Sequence, residues 1–207
     1  MSVMSTAEWG TLLVLCTTMS FSPGPNTTLS TALAANRGLR AALRFCLAVP
    51  VGWTLLLLAC GLGVGVLVAQ APVLRWAIKL AGAAYLLWLA WRLARSSSLG
   101  NAAQARLNVG FWQGVALQFL NIKAWMLALT LVSGWVIHAG AAPSSNPGER
   151  LAAIAVAMVF FAFASNFTYA LVGAGLRGWL AHGRRLQVFN LGLALVLAGT
   201  AAWMLTT

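Results

Sequence analysis

The chain has 207 residues, of which 61% are hydrophobic and only 7% charged, with thirteen Lys and Arg against two acidic residues and a net charge of +11. A soluble domain carries about 25% charged residues, so this composition excludes a water-solvated surface and points to an integral membrane protein. The cations are scattered at segment ends rather than gathered in a stripe, which suits lipid headgroups and topology determination and argues against nucleic acid as a partner.

The first apolar segment, about residues 9–35, is interrupted by Ser22-Pro23-Gly24-Pro25-Asn26. Each proline lacks an amide donor and clashes with the preceding turn, and Gly24 adds no stiffness, so a helix cannot run through unbroken. In hydrocarbon, backbone groups freed by a break cost several kcal/mol each, roughly, unless protein or a wet cavity satisfies them. The break therefore predicts a cavity. No cation precedes this segment, only Glu8, and no small-residue cleavage site follows, so it does not read as a removed signal peptide.

A short basic loop with Arg37, Arg40 and Arg44 leads to a second segment, about 45–68. It holds Pro50 and a Gly61/Gly65 pair whose spacing would let another helix approach. Ala71-Pro72 opens a third segment, about 73–91, with Arg75 and Lys79 near its start. Arg92, Arg95 and Arg106 flank a Ser/Gly/Asn/Gln loop, about 96–108, that reads as the midpoint connection. A fourth segment, about 109–137, carries Gln113, Gln118, Asn121 and Lys123. A turn-rich loop follows at 138–150. The fifth segment, about 151–176, has Ser165, Asn166, Thr168 and Tyr169 at its centre. A last basic loop (Arg177, Arg184, Arg185) precedes the sixth, about 186–205. Trp88, Trp91 and Trp179 sit where interfacial aromatic belts belong.

The expected architecture is an all-α membrane protein, one domain over 1–207, with six transmembrane helices and a Pro-Gly-Pro-broken first helix. Three segments before the midpoint loop (about 1–95) and three after it (about 109–207) imply inverted halves, because an odd number of crossings reverses direction. Each half begins with a polar-interrupted segment, the pattern of a transporter's midplane site. Placing the first, third and fifth loops inside gives nine Lys/Arg inside against three outside, Arg75, Lys79 and Arg150. That asymmetry puts both termini outside if all six segments span, and leaves the C-terminus outside even if the first is only a re-entrant hairpin.

Lys123 lies about 14 residues into the fourth segment, roughly 21 Å along a helix. A lone Lys at mid-bilayer costs on the order of 2.5–3.5 kcal/mol. It either faces a wet cavity or snorkels to an interface; pairing is hard to sustain, since Glu8 and Glu149 lie in tails or loops. A cation without a counter-acid suits an anionic group such as a carboxylate, and helix N-termini freed at Pro-Gly-Pro add donors of the same sense. A cationic substrate side chain would meet no carboxylate, which disfavours lysine or arginine as cargo. The residues expected to bind substrate are Ser22, Pro23, Gly24, Pro25, Asn26, Gln118, Asn121, Lys123, Asn166 and Tyr169. Asn166 and Tyr169 read equally well as interhelical hydrogen-bonding residues. Cys16, Cys46 and Cys60 lack CxxC spacing and read as core residues. No metal or other cofactor is expected, and His138 and His182 lie at segment ends.

Taken together, Ser22-Pro23-Gly24-Pro25-Asn26, Ala81-Gly82-Ala83-Ala84-Tyr85-Leu86 and Asn121-x-Lys123 resemble the LysE/RhtB family of amino-acid exporters, in order and spacing over essentially the whole chain. The resemblance implies a small bacterial inner-membrane protein, a homo-oligomer (a dimer is one option), that exports amino acids using the proton motive force and is not an enzyme. The family commonly has Asn-Pro-Lys where this chain has Ile122, so a second proline kink is missing. Many members carry an acid where this chain has Asn166, which puts a carboxylate proton relay in doubt. Both departures, with Phe111, Trp112, Ala116, Leu117, Gln118 and Phe119, are similar to the branch exporting cysteine and O-acetylserine. Small neutral amino acids or their derivatives are the expected cargo; other amino-acid classes (homoserine/threonine, leucine or basic) are the alternatives. A membrane thiol–disulfide carrier would need a cysteine in each half, and all three lie in the first. A passive channel would need a continuous polar lining, whereas the polar residues gather at one depth. A structural subunit is supported only by the glycine-rich faces.

Overall fold

The computed structural model describes residues 3–96, 107–140 and 142–206, and among these it is a helical bundle. The chain runs through α1 (Thr6–Phe21), α2 (Pro25–Arg37), α3 (Leu39–Gly61), α4 (Val64–Gln70), α5 (Pro72–Ala94), α6 (Phe111–Leu120) and α7 (Ile122–Leu131), which continues as π-helix over Val132–Ile137. A minimal hairpin, β1 (His138–Ala139) with β2 (Ala142–Pro143), pairs antiparallel with His138 opposite Pro143. The long α8 (Pro147–Leu180) and α9 (Arg185–Thr206) complete the fold. Most of the midpoint loop expected at 96–108, with Arg106, lies outside the described residues.

α3, α5, α8 and α9 are long and apolar enough to cross a membrane, and α6 with the helix that follows it makes a fifth candidate, bent by 69°. Neither α1, 16 residues, nor α2, 13 residues, is a span by itself. Val156, Phe160, Val188 and Leu195 stand exposed along α8 and α9, as lipid-facing side chains would. Arg92, Arg95 and Arg185 stack over Trp88, Trp91 and Trp179 at 4.7, 4.5 and 4.9 Å, so the aromatic residues assigned to belts hold cations at helix ends.

α1 begins with a capping box. The Glu8 amide donates to Ser5 Oγ at 3.2 Å, and the Ser5 amide donates to Glu8 Oε2 at 2.8 Å. Glu8 was expected in a tail and Arg150 in a loop; instead each sits in the first turn of a helix and they pair at 2.7 Å, clasping α1 to α8. The Gly61/Gly65 pair also needs correcting. Gly63 adopts a left-handed φ of +93°, which ends α3 at Gly61 and puts Gly65 on the separate α4. The two glycines therefore share no helix face; one abuts Leu151 and the other Leu129.

Packing explains how a polar helix sits at the centre. α2 buries eleven of its thirteen residues, including Thr27, Thr28, Ser30, Thr31 and Asn36. It runs along α8, where Gly173 comes so near that a Cβ there would lie 2.3 Å from the Thr31 carbonyl oxygen. Two large apolar clusters form the core, and most apolar residues of α2 belong to the first. The first joins Leu33, Phe45, Leu89, Leu117 and Leu197. The other joins Leu12, Leu57, Trp125, Leu131 and Met158.

Candidate functional site

The link between α1 and α2 consists of Ser22, Pro23 and Gly24, and its geometry follows from their chemistry. Ser22 is extended (φ −68°, ψ 139°), as the residue before a proline must be, so α1 stops. Pro25 takes the first position of α2, where its missing donor costs nothing. Thr27 then closes the start of the helix. Its hydroxyl accepts from the Gly24 amide at 3.0 Å and donates to the Gly24 carbonyl at 3.1 Å. The first intrahelical bond is made by the Thr28 amide to the Gly24 carbonyl, so the Asn26 and Thr27 amides stand at the positive end of the α2 dipole.

A second discontinuity faces it. α6 ends at Leu120 and α7 begins at Ile122, with Asn121 in extended geometry between them (φ −97°, ψ 101°). The absence of a proline at 122 had implied that this kink was missing; the bend is present. Asn121 makes it by itself, because its side chain caps α7 by accepting from the Lys123 amide at 3.2 Å. Trp125 Nε1 donates at 2.8 Å to the Phe119 carbonyl, an acceptor at the end of α6 with no helical partner beyond the bend.

The two breaks touch through side chains. The Lys123 ammonium donates to the Ser22 carbonyl at 3.3 Å and to the Ser22 hydroxyl. In the first turn of α2 and the last turn of α6, Asn26 and Gln118 exchange amide hydrogen bonds of 2.8 and 3.1 Å. Gln118 also donates to the Gly114 carbonyl at 3.0 Å. Between them lies a cavity of about 50 Å³ at the junction of the two apolar clusters, with Val49 and Ala162 from one and Trp53, Leu127 and Met158 from the other. No acidic side chain lines it. Its charge is set by Lys123 and by the N-termini of α2 and α7, all of one sign.

The expected site residues distribute unevenly around this space. Ser22, Gly24, Pro25, Asn26, Asn121, Lys123 and Asn166 line it. Gln118, with no exposed surface, stands behind Asn26 and positions it. Pro23 faces outward and lines a larger crevice of about 580 Å³ that reaches Lys123 between α7 and α9. Tyr169 lies away from the cavity; its exposed hydroxyl donates to the Phe21 carbonyl at 2.9 Å, tying the end of α1 to α8. Asn166 is held on both sides, donating to the Ala162 carbonyl at 2.8 Å and accepting from Ser30 Oγ at 2.9 Å. Ser30 and Thr27 were not singled out from the sequence, since a hydroxyl in an apolar helix carries no signal until its partner is known. Nor was Asn36, which exchanges bonds of 2.8 and 2.9 Å with Asn190 at the far end of α2.

Titratable groups elsewhere are separate from this space. Arg150, and to a smaller degree Ser5, hold the Glu8 carboxyl well below the usual carboxylate range, at about 2. His138 and His182 are exposed and bond the Ser133 and Gly178 carbonyls. The three cysteines are buried and unbridged.

The chain matches the family described as LysE type translocator over residues 17–207, a span that includes both breaks and excludes Glu8. It is 30% identical over 200 residues to the cysteine/O-acetylserine efflux protein of Shigella flexneri serotype 5b, covering 94% of each chain. It is 31% identical to the protein of that name in Escherichia coli K12, over 86% of this chain and 87% of the other. To that of Salmonella typhimurium LT2 it is 29% identical, over 94% of each. No solved structure matches.

Proposed function

The chain belongs to the LysE type translocator family, and from that premise we propose that it is a secondary active exporter of small neutral amino acids or derivatives of the cysteine and O-acetylserine kind. The observation that carries the substrate class is the ammonium of Lys123, held between two helix N-termini in a cavity without an acid. A carboxylate takes the place of the Ser22 oxygens on Lys123 and gains the free amides of α2. The substrate's own ammonium is met by carbonyl and amide oxygens of the kind Ser22 and Asn26 present. A cationic side chain finds no counter-charge. The names of the three relatives support the same cargo.

A space of about 50 Å³ admits a few water-sized groups rather than an amino acid. Substrate entry therefore parts the walls, and the two breaks are where the backbone gives. α3 lies along α8 and α5 along α9, the pairs that exchange of two inverted halves would map onto themselves, which supports the repeat reading. In that reading α1–α2 and α6–α7 are equivalent, six segments span a bacterial inner membrane, the C-terminus is outside, and a homo-oligomer is the working form. The driving force is the proton motive force, as the resemblance implies.

Counterflow in proteoliposomes tests the proposal. Vesicles loaded with a panel of amino acids exchange against labelled O-acetylserine or cysteine, in the wild type and in Lys123→Met. Saturable exchange with small neutral amino acids, responsive to a pH gradient and lost in the variant, supports it. Exchange confined to lysine or arginine refutes the charge argument, and non-saturating flux makes the protein a channel.

A further inference from the structure

On the other face of α7, a third pocket, of about 240 Å³, lies between α4, α5 and α7. Its walls are apolar, with Val68, Ile78, Ile122 and Leu129 among them, except for two cations one helical turn apart on α5, Arg75 and Lys79. Both were expected among the charges outside the membrane, yet Lys79 is only 7% exposed. Its ammonium sits 5.1 Å from the centre of the Trp76 ring and makes no hydrogen bond or ion pair among the described residues. Arg75 makes one hydrogen bond among the described residues, at 3.3 Å to the Ala69 carbonyl. Neither acid of the chain is near: Glu8 is bound to Arg150, and Glu149 bonds Asn146 at the start of α8.

The Lys79 stem is packed away while its ammonium, with three donors and no acceptor, stays reachable at the pocket, a placement that favours an anionic visitor. The pocket offers two positive charges at one end and an apolar trough along α7, and so demands an amphiphile with a negative head. We infer that Arg75 and Lys79 form a binding site for an anionic phospholipid, the phosphate between the two cations and an acyl chain against Ile122 and Leu129. Basic pockets between membrane helices take such headgroups for the same reason. Ile122 opens α7 beside the break at Asn121, so the bound lipid braces the bent helix from behind.

The full chain, purified in a neutral detergent, is titrated with phosphatidylglycerol, phosphatidylcholine or inorganic phosphate while thermal unfolding is followed. Lipid retention is read in parallel by native mass spectrometry. The wild type is expected to retain phosphatidylglycerol and to be stabilised by it over phosphatidylcholine. Lys79→Gln and Arg75→Gln each weaken that preference about fivefold, the effect of one cation near an anionic surface, while Lys79→Arg keeps it. Should Lys79→Gln fail to fold, the Arg75→Gln and Lys79→Arg pair decides the matter. Equal stabilisation by both lipids, or an undiminished preference in the glutamine variants, overturns the site. Stabilisation by inorganic phosphate equal to that by phosphatidylglycerol makes it a free-anion site and overturns the lipid.

Discussion

The two helix breaks that face one another are built by different means. Between α1 and α2, two prolines and a glycine forbid continuation of the helix, and Thr27 then seals the new end with a reciprocal bond to Gly24. Between α6 and α7 nothing forbids a helix; a single asparagine offers Lys123 a side-chain cap, and Trp125 takes up the Phe119 carbonyl. One break is imposed by covalent constraint, and the other is chosen by competition between side-chain and backbone hydrogen bonds. A break of the first kind persists whatever surrounds it. The second depends on its partners, and is the more easily remade during a transport cycle.

The contrast can be sharpened by substitution. Lys123→Met, which removes the charged contact between the breaks, is expected to have the largest effect. Charge-assisted hydrogen bonds contribute about 1.5–3 kcal/mol, so substrate affinity should fall at least about tenfold, with insertion intact; equal transport by the variant would remove Lys123 from the site. Replacing Pro23 and Pro25 together by alanine should come next. The link loses its covalent constraint, and turnover should drop while the protein still folds; a normal rate would show that the imposed break is not needed for transport. Asn121→Ala removes the cap of α7 at a cost of about 1 kcal/mol. It should lower both thermal stability and turnover, with Asn121→Asp retaining more of each.

Glu8 tests whether the first break needs its outer anchor. Glu8→Gln breaks the ion pair with Arg150 and should lower the unfolding temperature by a few °C. The folded carboxyl titrates at about 2, below its unfolded value of 4.5. Its stabilisation is therefore complete above that unfolded value and is lost as pH falls through about 2. Across the range of a transport assay, about pH 5.5–8, the variant should keep the wild-type pH profile; a change in shape would make Glu8 a proton carrier. The smallest effect is expected from Ile122→Pro. Position 122 is the first of α7, where proline fits, and Asn121 is already extended as a pre-proline residue should be. The variant should fold and transport within about 1 kcal/mol of wild-type stability, the loss of the buried Ile side chain offsetting the gain in rigidity. Loss of the fold would mean that the Asn121 bend differs from a proline bend.

The same contrast explains how much could be read beforehand. Proline and glycine act through their own backbones, so the first break was legible in five letters, and a lone lysine in an apolar run drew attention to Lys123. Long apolar runs likewise gave α5, α8 and α9 to within a few residues; α3 begins six residues before its apolar run, taking in Arg40 and Arg44 expected in a loop, and Gly63 ends it early. The bend at Asn121 was not legible, because asparagine is common inside and outside helices and only its bond to the Lys123 amide decides. Ser30, Thr27 and Asn36 were missed for the same reason, since their partners Asn166, Gly24 and Asn190 are set by packing. Tyr169 shared a helical face with Asn166 on paper, but α8 turns its hydroxyl outward to Phe21. The pairing of Glu8 with Arg150, 142 positions apart, required the folded chain.

The most direct measurement is competition in counterflow between O-acetylserine and its carboxyl methyl ester, in the wild type and in Lys123→Met. A carboxylate bound by Lys123 predicts that the free acid competes in the wild type, that the ester does so at least about tenfold more weakly, and that the variant no longer distinguishes them. Equal competition by acid and ester in the wild type would contradict it and leave Lys123 holding the two breaks together without touching the substrate.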